Sequence, residues 1–218
     1  LDAADHRHAL AGLARINALS RAGARLWTHL LPLIGPRKRA TILDVAAGSA
    51  DVLIDLVARA RRSGVTLEPQ ALDVSAEAIS VAAARARSAG VELITNKRDA
   101  LRDGLGLPDA SVDIVVCSLF LHHLQRAHAV SLLREMARVA RAGVAVSDLV
   151  RSRRAVIAAA LAGRALTRSP IVHVDAVRSV RGAFTTDEMR SMAAEAGMAG
   201  AAVIPTWPLR MTLAWSPP

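Results

Sequence analysis

Three aspartates and a turn of tiny residues recur at intervals that suit a nucleoside-bearing ligand. The run Ile42-Leu43-Asp44-Val45-Ala46-Ala47-Gly48-Ser49-Ala50-Asp51 leads an apolar strand into a tight turn and out into a helix. Side chains this small let a ligand come close to the backbone. Only Gly48 is glycine where a dinucleotide loop wants three, and Asp51 puts a negative charge in the first helical turn, where it opposes a diphosphate. Both features argue against NAD(P) and hence against an oxidoreductase. Asp73 follows at the end of a second apolar run, and a carboxylate there can accept both hydroxyls of a ribose. In Arg98-Asp99-Ala100, the Asp99 carboxylate can accept from an adenine amino group while the next amide donates to the ring. The plainer alternatives are an N-cap at Asp73 and a turn at Asp99. Downstream, Leu121-His122-His123-Leu124 supplies paired imidazoles. Residues 170–181 place His173, Asp175, Arg178 and Arg181 in an otherwise apolar stretch.

A sheet has to bring these groups to one edge. Residues 41–46, 66–73, 91–95, 112–118 and 143–149 read as strands, the first and fourth nearly all apolar, as central parallel strands buried on both faces are. Helical periodicity falls between them, over 51–62, 76–88 and 125–141. Ser75 is placed to cap the second of these helices. Strands alternating with helices imply a parallel sheet with right-handed crossovers, whose ligands sit beyond the carboxyl ends of the strands. Leu10, Leu13, Ile16 and Leu19, then Leu26, Leu30 and Leu33, predict one or two amphipathic helices over 5–33, stopped at Gly35-Pro36. After the fifth strand come an Arg-rich helix over about 151–166 and a loop around Pro170. A helix then opens at Thr185-Thr186-Asp187-Glu188 with the signature of a capping box. Runs 201–205 and 209–215 suggest an antiparallel hairpin on the sheet edge. The 218 residues thus read as a single α/β domain: a helical cap (1–40), a core (41–149), a lid insertion (150–184), and a C-terminal helix and hairpin (185–218).

Composition narrows the partners. Aliphatic residues supply most of the 52% hydrophobic content, with only five aromatics and no Tyr, so base stacking is poorly provided for. Of the net charge of +9, residues 1–40 carry +5 and residues 151–181 carry +6, leaving −2 for everything else. The basic excess therefore flanks the regular pattern, where nucleic acid, a membrane surface, an anionic substrate or plain solvent can each meet it. No apolar run approaches the roughly 20 residues of a transmembrane helix. The N-terminus lacks the basic-then-apolar pattern of a secretory signal. The lone Cys117, inside an apolar run, reads as a core thiol rather than half of a disulfide. A cytoplasmic, reduced setting is expected, and a homodimer is compatible with the sequence. No set of His, Cys, Asp or Glu has convincing metal-ligand spacing.

Leu43-Asp44-Val45-x-x-Gly48, Asp73, Asp99-Ala100, Leu107-Pro108-Asp109-x-Ser111-Val112-Asp113 and Leu121-His122-His123-Leu124 together resemble the class I methyltransferases that use S-adenosyl-L-methionine (SAM). Within that class they are most like the branch containing ubiquinone and menaquinone biosynthesis methyltransferases. Glu135-Met136-Ala137-Arg138-Val139 adds to the likeness, which is strong over 41–149 and loose over 185–216. The resemblance implies a Rossmann-like, seven-stranded, mostly parallel sheet with an antiparallel C-terminal hairpin, helices on both faces and an N-terminal helical cap. It implies SAM as cofactor. Ala46, Ala47 and Gly48 would face its methionine part, with Asp44 orienting their loop from behind. Asp73 with Val74 would hold the ribose, and Asp99 and Ala100 the adenine. Ser118 and Leu119 would lie beside the methionine amino group. Ala46 and Ala50 stand where the family usually has glycines, which is tolerable provided their φ angles stay negative.

The expected acceptor is a small, hydrophobic or phenolic molecule, methylated on O or C, with His123 as base, His173 as second candidate, and His173, Arg178 and Arg181 at the acceptor. His122 is expected to be structural, and Asp148 to cap the Arg-rich helix. Two rivals differ in kind. A nucleic-acid methyltransferase is supported by the basic flanks, but disfavoured by the scarce aromatics and the missing Asn/Asp-Pro-Pro-Tyr motif. A SAM-binding protein without transfer activity is the other.

Overall fold

The computed structural model describes residues 10–157, apart from 13 and 16, and 177–218, apart from 208. Seven strands form one sheet in the order β3-β2-β1-β4-β5-β7-β6. They are β1 (Arg39–Val45), β2 (Thr66–Asp73), β3 (Ile94–Lys97), β4 (Val112–Ser118), β5 (Ala140–Leu149), β6 (Ala202–Thr206) and β7 (Arg210–Trp215). The first five are mutually parallel, while β7 runs antiparallel to both β5 and β6. The chain starts at the sheet centre, builds toward β3, then returns to place β4 on the other side of β1. That reversal leaves a crevice at the carboxyl ends of β1 and β4.

The apolar runs of β1 and β4 are buried on both faces, as their sequence requires. Ile42, Ile114, Val116 and Ala145 pack on one side among α1 (Ala22–Ile34), α2 (Asp51–Arg62) and α3 (Ala76–Ser88). Leu43, Val115, Cys117 and Val146 pack on the other among α4 (Arg126–Val139) and α5 (Thr186–Glu195). Each Ile, Leu and Val among them contributes roughly 1.5–3 kcal/mol by leaving water. Cys117 is fully buried, as expected of a core thiol, and burial pushes its pKa up.

Local signals set the helix ends. The Ser75 hydroxyl accepts from the Ala78 amide at 3.1 Å. The capping box of α5 is complete, the Thr185 amide donating to Glu188 at 2.7 Å and the Glu188 amide to the Thr185 hydroxyl at 3.2 Å. The third strand starts later than the 91–95 expected. Gly90 turns left-handed after α3, its amide bonds Arg87 O, and the Val91 amide bonds Ala86 O at 2.9 Å. That pairing is a Schellman closure, so Val91 packs as a helix stop and not as a strand.

Between 10 and 19 the described residues are helical, and Arg21, at φ 52°, breaks them from α1. Leu26 and Leu30 are buried as expected, whereas Leu19, expected to face inward, is 78% exposed at the end of the first helical stretch. Leu13 and Ile16 lie outside the described residues. Of the Arg-rich helix expected over 151–166, residues 153–157 are helical and those from 158 fall outside the described set. No helix among the described residues is long and apolar enough to cross a membrane.

Candidate functional site at the carboxyl edge of the sheet

The loop after β1 is held from two directions. The Ala47 amide donates to Leu72 O at 3.1 Å, and the Gly48 amide donates to the Asp73 carboxylate at 2.8 Å. Asp73 thus ties the end of β2 to the turn after β1, its other oxygen accepting from the Ser75 amide at 2.9 Å. Each carboxylate oxygen has two lone pairs, so one acceptor position per oxygen remains for a ribose hydroxyl. Val74, next in the chain, is 60% exposed, an apolar surface at the mouth of this turn.

Backbone angles correct one expectation. Ala46 (φ 57°), Gly48 (φ 55°) and Ala50 (φ 53°) are all left-handed, so the two alanines do not keep the negative φ on which their tolerance rests. A methyl group at left-handed φ crowds the following carbonyl, at roughly 1–2 kcal/mol per residue. At Gly48 the angle matters more than the space, since an added Cβ would lie 3.6 Å from Leu10 Cδ2. Leu10 itself is buried, so the N-terminal helical residues lie over this turn.

Asp44 lies behind the loop, 3% exposed, on the helix side of β1. Burial raises its pKa well above the carboxylate norm, and the charges of Asp51 and Asp73 push it further. Asp51 accepts from Ser49 Oγ at 3.0 Å and from Asn17 Nδ2 at 3.0 Å, joining α2 to the N-terminal helical residues. Asp99 performs the turn role that was its plainer reading: one oxygen accepts from the amides of Leu101 (3.0 Å) and Arg102 (3.2 Å). Ala100 packs against the core.

The strand ends of β4 and β5 meet through Ser118, Leu119, His122 and Asp148, of which Asp148 has a role other than the one expected. The Ser118 hydroxyl is buried with no hydrogen-bond partner among the described residues. Leu119, at φ 55°, turns the chain, its amide donating to Ser147 O at 2.9 Å. A single 3-10 turn, Leu121–His123, follows. Here His122 is buried, as a structural histidine is expected to be, and is held by Asp148. Its Nδ1 lies 2.6 Å from Asp148 Oδ1, and its amide donates to Asp148 Oδ2 at 3.1 Å. Asp148 therefore does not cap the segment after β5; it clamps the His122 turn. His123 is exposed, its ring 4.0 Å from that of His122 between centroids.

Residues 177–182 are helical and rest on that turn, since a Cβ on Gly182 would lie 3.0 Å from His122 O. Arg178 and Arg181 on this segment are exposed, and His173 lies outside the described residues. Two polar residues, one buried and one half-buried, escaped the sequence reading. Arg210 heads β7 and is 4% exposed, with Nη2 donating to Asn17 Oδ1 at 3.1 Å. A cation opening an otherwise apolar strand was its available signal; Asn17 had none.

The donor set fits a nucleoside amino acid. Asp73 retains acceptor capacity at the end of β2, the turn after β1 presents small residues, and Ser118 brings an orphaned hydroxyl from the far side of the crevice. Residues 42–143 match the family model described as a methyltransferase domain. No curated protein matches the sequence. Among solved structures, a SAM-dependent methyltransferase from Aquifex aeolicus is 19% identical, with a TM-score of 0.63 over 87% of this chain and 88% of that protein. The plantazolicin methyltransferase BpumL, solved with a desmethylplantazolicin analogue and S-adenosylhomocysteine, has a TM-score of 0.70 at 12% identity over 96% of this chain and 88% of that one. Human N-acetylserotonin methyltransferase, solved with SAM, has a TM-score of 0.69 at 12% identity; 99% of this chain covers 56% of it. Residues 42–143 thus carry the match to a methyltransferase domain, within a sheet like that of the SAM-dependent methyltransferases of known structure.

Proposed function

We propose that this methyltransferase acts on a small, hydrophobic or phenolic acceptor, on oxygen or carbon. The observation that carries the reading is the His122–Asp148 pair at 2.6 Å, fixed where β4 and β5 end and roofed by residues 177–182. SAM, when bound, supplies an activated methyl group on a sulfonium, so the protein chiefly aligns the reactants and excludes water. Asp73 and Val74 hold the ribose in this reading, Asp99 and Ala100 the adenine. Asp44, Ala46, Ala47, Gly48, Ser118 and Leu119 surround the amino-acid end. A phenolic acceptor must also lose a proton, and His123 takes it, with His173 as the second candidate. His122, held through both its ring and its amide, positions the ring of its neighbour. His173, Arg178 and Arg181 rim the acceptor side. The human N-acetylserotonin enzyme supports an aromatic small molecule; BpumL supports a peptide as the competing acceptor class.

The test is methyl transfer from SAM to a panel of phenols, hydroxybenzoates and short peptides, read by mass spectrometry. His123→Gln is expected to lower kcat about 100-fold with little change in KM, as loss of a general base does. Asp148→Asn is expected to lower kcat less and to shift the pH profile. Turnover of peptides but no phenols, or a His123→Gln variant with unchanged kcat, would remove this assignment.

A further inference from the structure

Arg210 is a buried cation to which no carboxylate is bonded among the described residues. Its guanidinium is buried at the head of β7, in register with Leu149 of β5 and Thr206 of β6. Among the described residues Nη2 has one partner, the neutral amide oxygen of Asn17, and Nη1 is buried with none. Asp148 and Asp51 are near enough to favour its charge, and Arg25 to oppose it, but neither acid bonds it. Asp148 spends its oxygens on the His122 ring, the His122 amide and the Leu149 amide (2.7 Å). Asp51 spends its own on Ser49 and Asn17. Arg25 is itself engaged, 5.0 Å over the Trp207 ring.

Arginine stays protonated in proteins, and a buried charge without a counter-ion costs several kcal/mol. A neutral side chain at this position would avoid that cost. The planar fork of a guanidinium matches a carboxylate with two parallel bonds. Arg210 also stands at the right edge of the molecule: its strand neighbour β5 ends in Asp148, which holds the His122 turn, and its Asn17 partner leads to Asp51 at the start of α2.

We propose that Arg210 is a buried anion-binding residue of the ligand pocket that takes a carboxylate through its free Nη1 edge. Two ligands of the pocket can bring that group: the amino-acid end of the donor, or an acidic acceptor. This choice of sources rests on the methyltransferase reading.

Calorimetry on Arg210→Met separates the cases. Three probes are used: S-adenosylhomocysteine, 5′-methylthioadenosine (the same nucleoside thioether without the amino acid), and 4-hydroxybenzoate added to protein saturated with S-adenosylhomocysteine. If the donor supplies the carboxylate, S-adenosylhomocysteine binds about 10- to 100-fold more weakly while 5′-methylthioadenosine is unchanged, and Arg210→Lys recovers part of the loss. If the acceptor supplies it, S-adenosylhomocysteine is unchanged and the binding of 4-hydroxybenzoate weakens by the same factor. In both cases the ligand-free variant melts no lower than the parent, since an unpaired charge has been removed. Unchanged binding of S-adenosylhomocysteine and 4-hydroxybenzoate in a folded variant overturns the proposal. So does a lowered melting temperature with ligand affinities intact, which marks a structural arginine. Should Arg210→Met not fold, Arg210→Lys gives the same comparison with smaller factors. Failure of the parent to bind 5′-methylthioadenosine counts against the nucleoside reading of the pocket alone, and the 4-hydroxybenzoate arm then decides Arg210.

Discussion

At the scale of single residues, the turn after β1 stores strain that its sequence did not advertise. Small residues were legible there, but their backbone angles were not, because alanine and glycine both satisfy a reading based on size. Ala46 and Ala50 occupy left-handed conformations that glycine adopts freely. Ala46→Gly and Ala50→Gly are each expected to stabilise the ligand-free protein by about 1 kcal/mol, or about 2–4 °C in Tm for a chain of this size. Calorimetric melting checks this, and a lowered Tm in both variants would mean that the angles are not strained. The paired histidines teach a related lesson. His123 was favoured as base because it follows β4, where the methyl group should emerge, and His122 was read as structural; the partner that makes it so, Asp148, lies 26 positions away on another strand. A pairing of that kind appears only once β4 and β5 are side by side.

At the scale of elements, the carboxyl ends of β1 and β2 and the start of α2 bring Asp44, Asp73 and Asp51 together. The strand ends were legible from their apolar runs; the mutual repulsion was not, because it depends on packing. With the Asp44 pKa raised in the fold, the folded chain keeps a proton that the unfolded chain releases near pH 4. Where the folded state binds more protons, stability falls as pH rises, so this residue costs stability progressively above about pH 4. Asp113, Glu135 and Glu188 act in the opposite sense. The Thr41 amide, Arg138 and the Thr185 amide hold their carboxyls below the usual range, so the stability they add is present above about pH 4 and lost as pH falls. Asp44→Asn is therefore expected to flatten the decline of Tm as pH rises above about 4 while leaving the acid limb in place. Parallel Tm curves for parent and variant would show that Asp44 does not titrate as its burial requires. The same packing logic explains the displaced third strand, where a helix stop at Gly90-Val91 claimed residues whose apolar character alone reads as strand.

At the scale of the whole molecule, alternating apolar runs and helical periods carried the architecture. Five parallel strands, the edge hairpin and helices on both faces all follow from where the chain is apolar and at what period. Less legible was what the N-terminal residues do. They read as a cap by position, yet Leu10 covers Gly48, and Asn17 joins Asp51 to Arg210, so the cap takes part in the site. Contacts between a chain's two ends leave no periodic trace. The central claim is that the carboxyl edge of this sheet holds a nucleoside amino acid through Asp73. Titration calorimetry with S-adenosylhomocysteine tests it most directly. The account predicts saturable one-to-one binding that weakens at least about 10-fold in a folded Asp73→Ala variant. Equal binding by parent and variant, or no heat with either, would contradict it.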